Sequence, residues 1–398
     1  MSRLIKIMSV VGARPNLMKI APFIHAIERF EESAGSHVKI INQLVHTGQH
    51  YDQNMSDSFF EDLNIPRPDY HLGVGSGSHA YQMGQTMIEF EKVLLASKPD
   101  WVVVVGDVNA TGSCSITAKK HQFRVAHIEA GLRSNDWTMP EEINRIITDR
   151  VSDLLLTPCR FADENLKREG ASAQRIERVG NIMIDTLEAN REKAASMDIN
   201  AVVSRNIAQT PEENKTEKAR SSKARKLTGE DFVLLTMHRP SNVDEPQTLK
   251  ALMDALQEIA EKYPIVFPIH PRTRERLKEF ALWDVIAENK NIIATQPIGY
   301  LDFLCLNMRA RVLLTDSGGL QEEACVLGTP CLTLRWNTER PVVLVENGGT
   351  NILVGNDPEK IRNGFKQMAD FPRKEHRPEL WDGHTAERVV SAIVNRTK

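Results

Sequence analysis

Short apolar, β-rich runs alternate along this chain with stretches whose apolar positions recur at helical spacing. Near-continuous apolar runs suit parallel strands buried on both faces, and the helical stretches between them suit crossover helices. In the first half the pattern predicts strands over Leu4–Val11, Val38–His46, Trp101–Gly106, Val125–Ile128, Leu154–Thr157 and Ile176–Val179. Helices are predicted between them over Met18–Phe30 and Ala80–Leu95. The second half repeats the design, with strands over Phe232–Met237, Ile265–Ile269, Asn291–Ala294, Val312–Thr315, Cys331–Leu334 and Asn351–Val354. Six strands in each half predict an α/β protein of two Rossmann-like, doubly wound domains rather than one large sheet.

The expected boundaries follow. Residues 1–185 form the first domain and 186–231 a join, followed by a second domain at 232–380 and a terminal segment at 381–398. Pro211–Asp231 has almost nothing to bury and reads as an exposed linker or insertion, with a polar surface helix as the alternative. Thr385–Val394 is an amphipathic helix able to pack on either domain.

At 398 residues, 41% hydrophobic and 26% charged, the chain has the composition of a folded globular protein with room for two cores. A formal net charge of −3 gives no basic field, so neither nucleic acid nor an acidic membrane is an expected partner. No apolar stretch approaches a bilayer span, and the opening residues run into a strand without a signal-peptide core. The five cysteines, Cys114, Cys159, Cys305, Cys325 and Cys331, lie mostly among apolar or small residues without zinc spacing. They read as reduced core thiols, and the expected location is the cytoplasm.

Ligands of open α/β sheets bind beyond the carboxyl ends of the strands. Arg14, Asp107 and Glu129 follow predicted strands in the first half; His238, His270 and Ser317 do so in the second. Each has a plainer reading. An Asp or Glu there can cap the next helix, a His can be a satisfied half-buried ring, and an Arg can form a surface pair. Their shared position at the strand ends favours a site.

Thr315-Asp316-Ser317-Gly318-Gly319-Leu320-Gln321-Glu322-Glu323 runs from a buried strand through a small N-cap residue into a helix ending near Gly328. Glycines at such a turn let a phosphate approach the backbone, where free amides and the helix dipole favour an anion. Glu323, in the second turn, is placed to accept hydrogen bonds from a ribose. Met139-Pro140-Glu141-Glu142 opens another helix. Its Ile143, Ile146, Ile147, Val151 and Leu154 predict a buried face, with Glu141, Arg145 and Thr148 opposite. Glu141 and Arg145 then form either an exposed pair or a carboxylate held at a site edge. Gly73-Val74-Gly75-Ser76-Gly77 only superficially resembles a dinucleotide loop; it follows no long strand and lacks the acidic partner.

Taken together, these segments resemble the non-hydrolysing UDP-N-acetylglucosamine 2-epimerases. The matching stretches are GARPNLMKIAP, HTGQHYDQNMS, GDVNAT, HIEAGLRS, MPEEINR, GNIMIDTL, TMHRPSNVD, PIHPRTRERL, PIGYLDF, TDSGGLQEEACVLGTPCLTLR and TERP. The resemblance implies the GT-B fold, with two Rossmann-like domains facing each other across a cleft, and a homodimer. It implies UDP-N-acetylglucosamine and UDP as ligands, with no cofactor and no metal. Asp107, Glu129 and Glu141 match carboxylates linked to catalysis, with Arg145 beside the last and His238 in the second domain. Arg14 matches a diphosphate-binding arginine, with Lys19 one turn later. Ser317, Gly318 and Gly319 match the phosphate loop, Glu323 the ribose ligand, and His270 and Arg239 further UDP-site residues. Ala13-Arg14-Pro15-Asn16 and GDVNAT depart from the commoner Thr-Arg-Pro-Glu and GDTTT; these differences bear on the sugar substituents rather than the reaction class.

A hydrolysing 2-epimerase, a GT-B glycosyltransferase and a catalytically inert sugar-nucleotide sensor remain alternatives. Three carboxylates in the first half argue against the last two. Family members activated by their own substrate carry a glutamine three residues after that of a Gln-His pair. Here that position is Asp52, after Gln49-His50, which predicts weak or absent cooperativity.

Overall fold

The computed structural model describes residues 3–32, 38–48, 64–207 and 226–397. It divides into two compact units, Met1–Thr186 with Pro378–Lys398, and Leu187–Arg377. Each unit has its own parallel sheet, so the α/β class holds in both.

The sheet of the first unit contains β1 (Arg3–Val11), β2 (Val38–His46), β3 (Tyr70–His71), β4 (Trp101–Val105), β5 (Arg124–Ile128), β6 (Leu154–Thr157) and β7 (Ile176–Arg178). Their order is β3-β2-β1-β4-β5-β6-β7. The sequence pattern missed β3, because two residues paired with Val45 and His46 leave no apolar run to detect. The second sheet contains β8 (Val233–Thr236), β9 (Ile265–Pro268), β10 (Ile292–Thr295), β11 (Val312–Thr315), β12 (Cys331–Thr333) and β13 (Asn351–Leu353). Its order is β10-β9-β8-β11-β12-β13. Both sheets thus reverse direction once, between β1 and β4 and between β8 and β11, which creates a crevice at the strand ends of each unit.

Burial explains why the strands were legible. All five residues of β4, Trp-Val-Val-Val-Val, are buried, as are all four of β11. All five cysteines are free and buried in the same apolar surroundings. Burial pushes the Cys325 thiol up to about 12, so it is an inert packing group.

Three features differ from the sequence pattern. The stretch expected to join the domains is packed structure where it is described. Ile182–Ala195 is one helix, and Ile199–Ile207 is another that buries Ile199, Val202, Val203 and Ile207. Leu227 is buried as well, exchanging hydrogen bonds with Asn200. Residues 211–225 of the polar stretch lie outside the described residues.

The terminal helix, Thr385–Arg396, belongs to the first unit together with residues from Pro378 onward, whereas the pattern left its host open. Its Ala386, Val389, Val390 and Ile393 join the core with Ile20, Phe23, Ile24 and Ile27. Asp185 accepts the amides of Thr385 and Ala386, at 3.1 and 2.7 Å, and so caps it.

The helix Pro140–Val151 is turned over relative to expectation. It buries Glu142, Asn144, Arg145, Thr148 and Asp149, while Ile143 is 42% exposed. The polar face faces inward because it meets a charged network rather than an apolar core.

Candidate active site

In the first unit, strand register brings the chemistry together. Val105 faces Ile128, so Gly106-Asp107 and Glu129 leave the sheet side by side. Gly106 has φ +72°, and a Cβ there would lie 3.3 Å from Lys19 Nζ, 3.4 Å from Asn16 Nδ2 and 3.5 Å from Glu129 Oε2. The left-handed φ, more than the nearness of those side-chain tips, is what favours glycine there. Asn16 accepts the amide of Ala13 at 3.0 Å and donates to the Val105 carbonyl at 2.9 Å, fixing the turn after β1 to the end of β4. Arg14 opens the helix Arg14–Glu32 at that turn, and its side chain falls outside the described residues. Lys19, one helical turn on, is buried and pairs with Glu129.

Glu129 is a non-glycine residue with φ +71°, and it is 4% exposed. Its Oε1 has no hydrogen-bond partner among the described residues. Backbone strain and an orphaned buried oxygen coincide on one side chain, a combination concentrated at functional sites.

Asp107 is anchored from the inverted helix. Arg145 Nη1 stands 2.5 Å from its Oδ2, and Asn144 Nδ2 donates to its carbonyl at 2.9 Å. The guanidinium is itself gripped by Glu142, which receives Nε at 2.9 Å and Nη2 at 2.7 Å. The carboxylate paired with Arg145 is therefore Glu142 at i−3, not the expected Glu141 at i−4. Glu141 sits half-buried in the first helical turn. Behind this cluster, His127 Nδ1 is 2.7 Å from Asp149 Oδ1, and its Nε2 is 2.8 Å from the Gly106 carbonyl. Asp149 also pairs with Arg133, at 2.7 Å, and accepts the Gly131 amide. Burial opposes ionisation of Asp149, but His127 and Arg133 outweigh it and hold the carboxyl below its usual range.

In the second unit, Thr236 faces Thr315 in register, so His238 and Asp316-Ser317 emerge together from β8 and β11. Asp316 is fully buried. It accepts the amides of His238 and Arg239, each at 2.8 Å, and His238 Nδ1 lies 2.8 Å from its Oδ1. Arg239 Nε donates to the Asp316 carbonyl at 3.0 Å, which places this guanidinium beside the phosphate-loop backbone. The His270 ring stands 5.3 Å from that of His238. Its Nδ1 accepts the Arg272 amide at 3.2 Å and caps the helix Pro271–Glu279.

Ser317 occupies the N-cap of the helix Gly318–Leu327, with no capping hydrogen bond from its side chain among the described residues. The two glycines divide their work. A Cβ on Gly319 would meet nothing within 4 Å, whereas one on Gly318 would lie 2.4 Å from Arg340 Nη1. Gly318 thus makes room for an arginine, and only Gly319 faces open space. Arg340 is buried between Glu322, at 2.8 Å, and Glu339, at 2.5 Å, and Glu339 also holds Arg335. Glu323 is 1% exposed, with the Tyr300 hydroxyl beside it but not in hydrogen-bond geometry. Burial pushes its carboxyl up to about 8, aided by Glu322 and opposed by Tyr300.

Sequence reasoning assigned no roles to Asp316, Glu142, Asp149, His127, Arg340 and Tyr300. Asp316 directly precedes the glycine turn and Arg340 lies in Thr-Glu-Arg-Pro, so both carried a positional signal. The others are fixed only by packing. Residues 49–53, including Asp52, lie outside the described residues. No helix among the described residues is long and apolar enough to cross a membrane.

Comparison with known proteins places the chain in a family. The family model described as UDP-N-acetylglucosamine 2-epimerase matches residues 33–394. A relative of that name from Methanocaldococcus jannaschii is 42% identical over 390 residues, covering 98% of each chain. A Pseudomonas aeruginosa relative named UDP-2,3-diacetamido-2,3-dideoxy-D-glucuronate 2-epimerase is 40% identical, covering 88% of each chain. The crystal structure of the M. jannaschii UDP-GlcNAc 2-epimerase in complex with UDP-GlcNAc and UDP superimposes with a TM-score of 0.84 at 41% identity. That match covers 98% of this chain and 100% of the other, and gives both the same GT-B-like, two-domain class. The chain belongs to the UDP-N-acetylglucosamine 2-epimerase family.

Proposed function

We propose that this protein interconverts UDP-N-acetylglucosamine and UDP-N-acetylmannosamine without hydrolysis, by eliminating UDP and adding it back. The observation that carries this reading is Glu129. It is a buried carboxylate on a strained backbone, with one oxygen unpartnered among the described residues, set beside Lys19 and the Arg145-held Asp107. Such a cluster suits proton removal and stabilisation of a positive sugar ring.

The hydrogen on the acetamido-bearing carbon is too weakly acidic for direct removal by a carboxylate. When the bond from the anomeric carbon to the diphosphate breaks, the ring becomes oxocarbenium-like and that hydrogen becomes removable. UDP departs with the bonding pair, a carboxylate takes the proton, and a double bond forms between the two carbons. Re-addition reverses these steps, with the proton delivered to the opposite face. The amides at Ser317–Gly319, Arg14, Arg239, His238 and His270 would receive the departing diphosphate charge. Asp107, Glu129 and Glu141 would face the ring, with Arg145 fixing Asp107. Glu323 would hold the ribose.

The fold family and the M. jannaschii relative support UDP-N-acetylglucosamine as the sugar nucleotide. The P. aeruginosa relative makes a 2,3-diacetamido glucuronate the substrate to test against it. A homodimer is part of the same reading. The exposed Tyr81, Ile88 and Leu95 at heptad spacing on the helix His79–Ser97, and Ile143 on Pro140–Val151, supply uncovered apolar surface for it.

Incubation of purified protein with UDP-N-acetylglucosamine, followed by proton and phosphorus NMR, tests the proposal. The N-acetylmannosamine product should remain attached to UDP. Release of free N-acetylmannosamine and UDP would establish hydrolysis instead. Turnover of the diacetamido glucuronate nucleotide alone would reassign the substrate.

A further inference from the structure

Asp316 is buried at the point where three strand ends of the second unit meet. It terminates β11, and it binds the backbone of His238 and Arg239 just beyond β8. Asn242 Nδ2 links it to the third strand end, reaching Asp316 Oδ2 at 3.1 Å and the Leu334 carbonyl beyond β12 at 3.0 Å. The next residue along the chain is Ser317, at the mouth of the Gly318–Leu327 helix. One carboxylate therefore sets the spacing between the His238 backbone and the phosphate loop.

The same carboxylate addresses the ring. His238 Nδ1 lies 2.8 Å from Asp316 Oδ1, while 40% of the His238 side chain is exposed. The contact is close but not in hydrogen-bond alignment, since Asp316 Oδ1 has no aligned donor among the described residues; at that separation two lone pairs would repel, so Nδ1 is the nitrogen that carries a proton. Nε2 is left to exchange a proton or a hydrogen bond with a ligand. The His270 imidazole also stands beside this ring, and the Arg239 guanidinium reaches the Asp316 carbonyl behind it; neither is an anion.

We propose that Asp316 is a positioning residue for the epimerase reaction, holding His238 with Nδ1 protonated so that Nε2 can take a proton from solvent, donate it to the diphosphate as UDP departs, and take it back on re-addition. This rests on the reading that His238 meets the sugar nucleotide. It adds that His238 and Asp316 act as one unit, in the way a buried carboxylate orients a catalytic imidazole elsewhere.

Asp316→Asn tests it. The new amide oxygen still accepts the two backbone N–H groups, but its NH2 faces the ring and forces the opposite tautomer. Turnover should fall by about 10²-fold or more, the range for a misoriented or lost acid–base group. The dissociation constant for UDP should change by no more than about threefold, because the loop amides remain. His238→Gln should cause a similar loss, and the double variant should be no slower than the worse single variant. A double-variant loss equal to the product of the two single losses would overturn the proposal, since Asp316 would then act by a separate route. The ring can also be read directly in the wild-type protein. Nitrogen-15 shifts at alkaline pH should report the Nδ1–H tautomer of His238, and the Nε2–H tautomer would overturn the proposal even if Asp316→Asn failed to fold. Wild-type protein inert toward UDP-N-acetylglucosamine would sink the functional reading, while the tautomer measurement would still decide this one.

Discussion

Lys19 and Glu129 form a buried ion pair across 110 residues of chain, joining the first helix to the end of β5. Removing one member leaves the other charge without compensation, which typically costs about 3–5 kcal/mol. Lys19→Met should therefore lower the denaturant midpoint clearly, and adding Glu129→Gln should restore much of the loss. An unchanged midpoint for Lys19→Met would show that the pair contributes nothing to folding.

Asp107→Asn keeps the shape of the side chain and removes the charge that Arg145 faces. Turnover should drop by at least the roughly 10²-fold typical of lost acid–base catalysis, with UDP affinity retained. In deuterium oxide the wild-type product should carry deuterium at the acetamido carbon, and prolonged incubation should label recovered substrate too. Epimerised product with fully retained hydrogen would rule out exchange with solvent and the elimination route with it.

Glu323 connects burial to ligand binding. Its folded pKa of about 8 lies above the ordinary 4.5, so the folded protein holds this proton at pH 7. Stability from that proton is present below 4.5 and is lost as pH rises through 8. Ribose hydroxyls donating to the carboxyl would favour its ionised form, so UDP binding at pH 7 should release a proton. Calorimetry in buffers of different ionisation enthalpy measures this directly. Glu323→Ala should also weaken UDP by roughly 1–3 kcal/mol. Buffer-independent heats together with wild-type affinity in the variant would remove the ribose role.

His46 predicts the acid side of the stability curve. Burial, reinforced by the stacked His71 ring, lowers it from 6.5 to about 4. With the folded pKa depressed, its contribution is complete above 6.5 and is lost as pH falls through 4. Melting temperatures measured from pH 7 to 4.5 should fall more steeply for the wild type than for His46→Gln. Parallel curves would mean that His46 is not the group responsible.

Local sequence signals were enough for the two-sheet plan, all of the second sheet's strands, the strand-end positions of Asp107, Glu129, His238 and Ser317, and the family. A buried strand such as β4 writes its environment into consecutive residues, and a glycine turn before a helix is a short contiguous pattern. Which face of Pro140–Val151 turns inward was settled by packing, because its inward partners, Asp107 and Arg133, sit on other elements outside the helix's own periodicity. Tertiary structure chose Glu142 over Glu141 for Arg145, gave Gly318's space to Arg340, and attached the last helix to the first unit. Amphipathic periodicity records that a helix has two unlike faces. Which face is buried depends on whether its neighbours are apolar or charged, and only the folded chain brings those neighbours into contact.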